Sequence, residues 1–188
     1  MPNPYNSPLL VDIADGTQIL NSTSEAIICP DFTFAGNDSR LYQGAGFNIR
    51  CWFDVSNVVT TPGTLTFRLR WGGVGGTVLA ATAAIALSTT ARATYSGSLD
   101  LDLVVRSIGA AGSMFAMGRV FLNDVPAGAD SAPQSIYTMG SAGANVPAVV
   151  TGLDTTTAKA LSVTAQFSVS TATTQLTNHM RFLTAYSS

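Results

Sequence analysis

The chain contains 188 residues, of which 46% are hydrophobic and only 11% are charged, and its formal net charge is −2. This length suits a single domain, which buries about 70% of its unfolded surface and needs no disulfide bond to form a core. Direct nucleic acid binding is disfavoured, because that function requires a basic surface.

The distribution of apolar residues disfavours two further classes. The first ten residues lack the basic segment and apolar core of a secretory signal. The longest apolar run, residues 78–87, is about half of the 20 residues that a bilayer span requires. We therefore expect no membrane partner and synthesis in a reducing compartment.

The low charge is informative in itself, since an ordinary cytosolic domain has about 25% charged residues. Lys159 is the single lysine and Glu25 the single glutamate. A surface rich in Ala, Thr, Ser and Gly is easily desolvated. Such a surface is typical of proteins that pack against neighbours, and secreted carbohydrate-binding modules share it.

Residues 1–8 are predicted to form an extended arm. Pro2, Pro4 and Pro8 fix their own φ angles and bias the preceding residues towards extended conformations. Two interpretations stay open: a frayed terminus, or a tether that docks on a partner through these prolines and Tyr5. Residues 9–188 are predicted to form the single folded domain.

Three short strands are predicted near the N-terminus, at residues 9–13, 17–20 and 26–29. A longer strand at residues 47–55 has apolar side chains at every second position. Its inward face includes Cys51, which we interpret as a small core residue. Cys29 and Cys51 are the only cysteines, and we expect both to be unpaired thiols.

The clearest alternation runs from Thr64 to Trp71, where the apolar side chains occupy odd-numbered positions. Arg68 and Arg70 then lie on the opposite, polar face of this strand. The glycine-rich residues 72–76 predict a turn. Residues 77–87 are predicted to form another strand, although their alanines favour helix.

A long hairpin is predicted from residues 98–107 and 113–122. Its second strand is apolar on both faces, which indicates cover on both sides. Closed, symmetric association would provide that cover, and we expect a homotrimer. Phe115, Met117 and Phe121 are the candidate interface residues.

The region from 124 to 157 is predicted to be mostly loop, with strand-forming stretches at 136–139 and 146–150. The chain closes with a second predicted hairpin, residues 158–169 followed by 175–186. In its last strand we expect one shared face for four apolar residues, Leu176, Met180, Phe182 and Tyr186. In all, about eight to ten strands predict an all-β fold, a two-sheet antiparallel jelly-roll sandwich.

Catalytic chemistry is not indicated. His179 is the only histidine, and no nucleophile elbow of the type G-x-S-x-G accompanies it. We interpret His179 as a polar strand residue, and we expect no metal and no cofactor. Five further charged residues lie on the polar faces of strands, and cross-strand ion pairs are favoured for them over interface contacts or a metal or substrate site. They are Arg50, Arg68, Arg70, Asp100 and Asp102.

Three segments carry a resemblance to a known family: residues 65–80 (LTFRLRWGGVGGTVLA), residues 96–114 (SGSLDLDLVVRSIGAAGSM) and the Ser/Thr-rich closing strands. Together they resemble tailed-bacteriophage virion proteins, and more narrowly jelly-roll cement or decoration proteins. The resemblance implies trimeric knobs on the outer surface of the virion head that bind the major capsid protein. It also implies assembly in the host cytoplasm and no enzymatic activity.

A structural assembly protein that stabilises the phage head is therefore the first hypothesis, with the arm as the candidate capsid-docking segment. The alternative is a receptor- or glycan-binding module of a phage tail or head fibre. That function would use an exposed Trp52 or Trp71, together with tyrosine, to stack on sugars. Because Trp71 lies on the apolar face of its strand, it favours the first hypothesis.

Overall fold

All regular elements in the described part of the chain are β-strands. The computed structural model describes residues 7–12, 14–57, 61–123, 135–141, 146–171 and 173–186. The strands are β1 (Ser7–Val11), β2 (Ile19–Leu20), β3 (Ala26–Ile27), β4 (Phe32–Phe34), β5 (Gly46–Asn57), β6 (Thr64–Trp71), β7 (Thr77–Thr82), β8 (Ile85–Ala86), β9 (Arg92–Ser107), β10 (Gly112–Leu122), β11 (Ser135–Gly140), β12 (Val149–Leu153), β13 (Lys159–Phe167) and β14 (Gln175–Tyr186). The count of 14 exceeds the predicted eight to ten because four of these strands have only two or three residues.

Ten of the strands follow one hydrogen-bonded path, β1-β14-β5-β9-β10-β11-β7-β6-β13-β3. The other four pair beside it, β2 with β14, β12 with β10, β4 with β13 and β8 with β6, and these pairings are all antiparallel. We call β1, β14, β5, β9 and β10 the front layer, and β7, β6, β13 and β3 the back layer. Strand β11 joins the two layers by pairing with β10 and β7. The predicted all-β antiparallel sandwich is confirmed.

Aromatic rings from the two layers meet in the core. The ring centroids of Phe53 of β5 and Phe67 of β6 are 5.0 Å apart, and those of Phe47 of β5 and Phe34 of β4 are 5.3 Å apart. The predicted inward faces of β5 and β6 are buried throughout. Each fully buried phenylalanine contributes about 1.5–3 kcal/mol, so these contacts are a main source of stability.

Cys29 and Cys51 are both free and buried. A hydrogen bond with Cys29 and the burial of the thiol raise the pKa of Cys51 well above its usual value. The Cys51 thiol therefore stays protonated and packs as a small core residue, as its position in the alternating strand predicted.

The first predicted hairpin is confirmed, since β9 and β10 pair from Ser107 opposite Ser113 to Gly97 opposite Leu122. The cover predicted for both faces of β10 is present on one face only within this chain. The face with Met114 and Leu122 is buried in the core, whereas Met117 on the other face is 41% exposed.

The second predicted hairpin is wrong, because β13 and β14 lie in different layers. Strand β13 pairs with β6, and β14 pairs with β5. Residues 168–174 connect the back layer to the front layer. Alternation identifies the inward face of a strand. It does not identify the neighbouring strand, so it could not show that β13 and β14 lie in different layers.

The remaining segments follow the predictions with adjusted bounds. The alanine-rich run forms β7 and β8, and β11 and β12 occupy the two strand-forming stretches of the predicted loop. Ser7 and Pro8 belong to β1 and not to an arm, and an edge strand tolerates a proline that lacks an N–H group. Residues 1–6, with Pro2, Pro4 and Tyr5, lie outside the described residues, as do 124–134 and 142–145.

A β-bulge in β14 reverses the facing of its side chains. The pairing with β5 shifts between Asn178 and Met180. Leu176 lies in the core before the bulge, whereas Phe182 and Tyr186 after it face outwards. The predicted single apolar face of β14 is therefore wrong, because one extra residue exchanges the two faces of a strand.

The same bulge turns Arg181 into the interior, where it is only 2% exposed. Its Nε atom lies 3.4 Å from Oδ2 of Asp12. The backbone N–H of Asp12 also donates to the carbonyl of Arg181 at 3.0 Å. This buried ion pair fixes the segment after β1 to β14.

We expect Asp12→Asn to lower the free energy of unfolding by about 3–5 kcal/mol, because it leaves the Arg181 charge buried without a counter-charge. The double variant Asp12→Asn with Arg181→Met should recover most of this loss, since it removes both charges. Urea unfolding measures both effects. Asp15→Asn is the control, because exposed ion pairs contribute at most about 1 kcal/mol; equal losses in the control and in Asp12→Asn would contradict the account.

Candidate functional site

The outward side of the front layer combines exposed aromatic rings with polar side chains, and we call it the outer face. Strand alternation places these residues there, with the bulge in β14 adding its last aromatic side chains. The outer face consists of Asn48, Arg50 and Trp52 on β5, Phe182, Thr184 and Tyr186 on β14, Ser96, Ser98, Asp100 and Asp102 on β9, and Phe115, Met117 and Phe121 on β10.

Trp52 lies at the centre of this face and is 37% exposed. In the sheet register it lies between Ser98 of β9 and Met180 of β14. Its ring meets that of Phe182 edge to face, with centroids 5.7 Å apart and an interplanar angle of 88°. This favourable aromatic geometry holds the indole in one orientation.

Two grooves adjoin Trp52. The β14 groove has a volume of about 280 Å³, and the β10 groove about 330 Å³. The β14 groove is lined by Asn48, Arg50, Trp52, Phe182, Thr184 and Tyr186. The β10 groove is lined by Trp52, Ser96, Gly97, Ser98, Phe121 and Asn123.

Hydrogen bonds order the polar side chains beside the β14 groove. Nδ2 of Asn48 donates to Oδ1 of Asp100 at 2.9 Å and to Oδ1 of Asp102 at 3.0 Å. Nε of Arg50 lies 3.5 Å from Oδ1 of Asp100. Exposed pairs of this kind contribute about 0–1 kcal/mol to stability, so they matter mainly for the chemistry of the surface.

The hydroxyl of Tyr186 stays protonated beside this cluster. Burial raises its pKa, and the negative charges of Asp102 and Asp100 raise it further, against the opposing effect of Arg50. Tyr186 can therefore donate a hydrogen bond at any pH near neutrality.

Arg68 and Arg70, the other two arginines predicted to form cross-strand pairs, lie in the back layer and bind Glu25. Nε of Arg70 lies 2.5 Å from Oε1 of Glu25, and Nη1 of Arg68 lies 3.2 Å from Oε2. Burial alone would raise the pKa of Glu25, but the bonds from Arg70 and Thr164 and the charge of Arg68 lower it. This cluster joins β6 and β13 to the segment before β3. Among the described residues, the ion pairs of Arg68 and Arg70 are with Glu25, whereas Asp100 pairs with Arg50.

Trp71 does not reach the surface. It is 4% exposed, its Nε1 donates to the carbonyl of Asp154 at 3.0 Å, and its ring lies 5.7 Å from Phe34. Of the two tryptophans proposed for stacking on sugars, only Trp52 is available to a ligand.

His179 lies outside the two grooves, on the exposed part of the β14 bulge. Its Nδ1 is 3.0 Å from Oδ1 of Asp15, and its Nε2 is 3.5 Å from Oδ2 of Asp54. The hydrogen bond to Asp15 and the proximity of Asp54 raise the pKa of His179. Both ring nitrogens thus face carboxylates, an arrangement that favours the cationic imidazolium and leaves neither nitrogen directed at a nucleophile.

Within the described residues, no three His, Cys, Asp or Glu side chains are grouped so that they could hold a metal ion. The same part of the chain contains no helix long and apolar enough to cross a membrane.

The three residues predicted for a trimer interface share the outer face. Phe115 and Phe121 are half-buried beneath arginine side chains. Cζ of Arg106 lies 5.5 Å from the ring centroid of Phe115, and Cζ of Arg119 lies 5.1 Å from that of Phe121. Met117 lies between the two phenylalanines on β10. Of the candidate docking residues, only Pro8 is described. It lies in β1 and is paired with Thr184 of β14.

Comparisons with known proteins give no family assignment. No protein-family model matches the chain, and no curated protein matches it. Solved structures with some similarity include the CBM2 module of the evolved Dit protein of Lactobacillus casei BL23 phage J-1 (TM-score 0.36, 10% identity, 84% of this chain and 69% of that one).

Two plant proteins are similar to the same low degree. The winged bean acidic lectin, in complex with methyl-α-D-galactose, has a TM-score of 0.36 at 10% identity, and the match covers 96% of this chain and 86% of the lectin chain. Arcelin-5, a lectin-like defence protein from Phaseolus vulgaris, has a TM-score of 0.29 at 10% identity and covers 86% and 78%. Scores this low carry no functional argument for this chain.

Proposed function

We propose that this protein is a non-enzymatic glycan-binding module whose ligand stacks on Trp52. One observation carries the proposal: an oriented, exposed tryptophan lies at the centre of a sheet face, with a groove on either side of it. The function corresponds to the alternative hypothesis, a receptor- or glycan-binding module of a phage tail or head fibre.

The chemistry of the outer face suits sugars. A pyranose ring presents C–H groups on one face, and the electron-rich face of an indole attracts them. Its hydroxyl groups need donors and acceptors around the ring. Of the residues that line the β14 groove, Arg50 donates, and Thr184 and Tyr186 both donate and accept. A mainly apolar platform with a few oriented polar groups is the usual composition of a small-molecule site.

The surroundings of Cys51 and His179, which could act as a nucleophile or a base, support binding without catalysis. The thiol of Cys51 is buried and protonated, and His179 is held between two carboxylates. General base catalysis needs a base within hydrogen-bond distance of the group it activates.

Head decoration, the first hypothesis, stays a prediction. The same holds for the major capsid protein as partner, for the outer surface of the virion as location and for docking through residues 1–8. Capsid co-sedimentation of the purified protein tests these together.

We expect Trp52→Ala to weaken binding to any glycan that the protein recognises on an array by at least tenfold, equivalent to about 1.4 kcal/mol. The reason is the loss of the stacking surface, while the fold is kept because Trp52 lies outside the core. Ile108→Ala is the matched control, since Ile108 is 54% exposed in the turn after β9 and lines neither groove. Equal glycan binding by wild type and Trp52→Ala would overturn the proposal.

A homotrimer is a second proposal, supported by the apolar stripe along β10. Met117 is 41% exposed, whereas Phe115 and Phe121 are half-buried under the guanidinium groups of Arg106 and Arg119. The interface is centred on Phe115 and Met117, at the end of the stripe away from the β10 groove that Phe121 lines. Exposed apolar side chains on a sheet face mark sites of association.

Light scattering at micromolar concentration should give the mass of a trimer for the wild type. Met117→Asp should give a monomer, because it places a charge in the middle of the apolar stripe. Ile108→Asp, which adds the same charge away from the stripe, should remain trimeric. A monomeric wild type contradicts the proposal.

A further inference from the structure

We infer that the ligand of the outer face is a neutral oligosaccharide chain that passes over Trp52 from the β14 groove to the β10 groove. The inference rests on the proposed glycan-binding function and adds the length and the charge class of the ligand.

The shared position of Trp52 is the first reason. Both grooves are lined by Trp52, and they extend from it on different sides, one along β5 and β14 and the other across β9 to β10. A ligand stacked on the indole therefore has space on both sides of the ring. A single sugar would occupy the platform and leave both grooves unfilled.

The distance across the sheet is the second reason. From β14 through β5 and β9 to β10 there are three inter-strand steps. At about 4.8 Å a step this spans roughly 14 Å, which exceeds the width of one pyranose ring. The ligand that fills both grooves is therefore a chain of several sugar units.

The polar lining of the β10 groove points to a neutral ligand. Its side chains other than the aromatic rings are Ser96, Ser98 and Asn123, together with Gly97. None of these groups is charged at neutral pH, and all three polar side chains can both donate and accept hydrogen bonds. They match sugar hydroxyl groups. The guanidinium of Arg119 lies over the ring of Phe121 at this groove, but Arg119 is opposite Asp100 in the register and adds no excess positive charge.

The charges at the β14 groove disfavour an acidic sugar. Among the residues that the structure describes, Arg50 is the one cation that lines this groove, and it faces Asp100, with Asp102 held next to Asp100 by Asn48. Arg119 of β10 lies opposite Asp100 in the register, so two cations and two carboxylates balance on this part of the outer face. A uronic or sialic acid would lose its hydration here without gaining an unbalanced cation, which is unfavourable.

The test measures affinity by calorimetry for neutral gluco- and galacto-oligosaccharides of one to six units and for oligogalacturonides of the same lengths. We expect the affinity for the neutral series to rise at least tenfold from one unit to the longer chains. We expect the acidic series to bind at least tenfold more weakly at each length.

Two variants test the two grooves separately. Tyr186→Ala removes a wall of the β14 groove, and Phe121→Ala removes a wall of the β10 groove. Each variant should lose most of the increase in affinity with chain length, whereas the control Ile108→Ala should retain that increase. Thermal melting and light scattering verify that fold and mass are unchanged, and Asn123→Ala replaces Phe121→Ala if they are not.

The outcomes distinguish the inference from the proposed function. Binding that depends on Trp52 but does not increase with length, or that is equal or tighter for the acidic series, overturns the inference and leaves glycan binding in place. Absence of Trp52-dependent binding to every member of both series and to the array overturns both.

Discussion

The β-bulge between Asn178 and Met180 determines what the front layer presents to solvent. Before it, β14 places Leu176 in the core, and after it the strand turns Phe182 and Tyr186 outwards. Without the extra residue the alternation would continue unchanged, and these two rings would point into the sandwich. The aromatic outer face therefore depends on one local irregularity of the sheet.

The bulge has a consequence on the inner side, since it turns Arg181 into the core. A buried guanidinium is tolerated only with a counter-charge, and the carboxylate of Asp12 lies 3.4 Å away. The segment that follows β1 supplies this carboxylate, so the edge strand and the bulge are mutually dependent. Bulges often re-aim side chains next to functional sites, which agrees with the position of this one below Trp52 and Phe182.

The strands with regular alternation were predictable from the sequence, and the exceptions have physical causes. The inward faces of β5 and β6 follow a strict period of two and were predicted residue by residue, and so was the outward position of Arg50. In β14 the apolar residues Leu176, Met180, Phe182 and Tyr186 are all at even positions, a pattern that conceals the bulge. The signal for it was Asn178, a polar residue that a regular strand would place on the same face as these four apolar residues.

Pairing between distant strands was beyond the sequence pattern, because alternation carries no information on neighbours. Glu25 binds Arg68 and Arg70 only because the segment before β3 lies next to β13. Likewise, the β10 groove forms because Phe121 and Trp52 are placed on either side of β9. The candidate site could be predicted as an exposed Trp52, but its grooves are products of the sheet order.

The central claim, that Trp52 on the outer face is the contact point for a glycan, is tested most directly by the indole N–H resonances of the two tryptophans. In a titration with a recognised oligosaccharide, the Trp52 resonance should shift progressively. The Trp71 resonance should stay in place, because that indole is buried and bonded to the carbonyl of Asp154. An unchanged Trp52 resonance at glycan concentrations that saturate the protein would contradict the account.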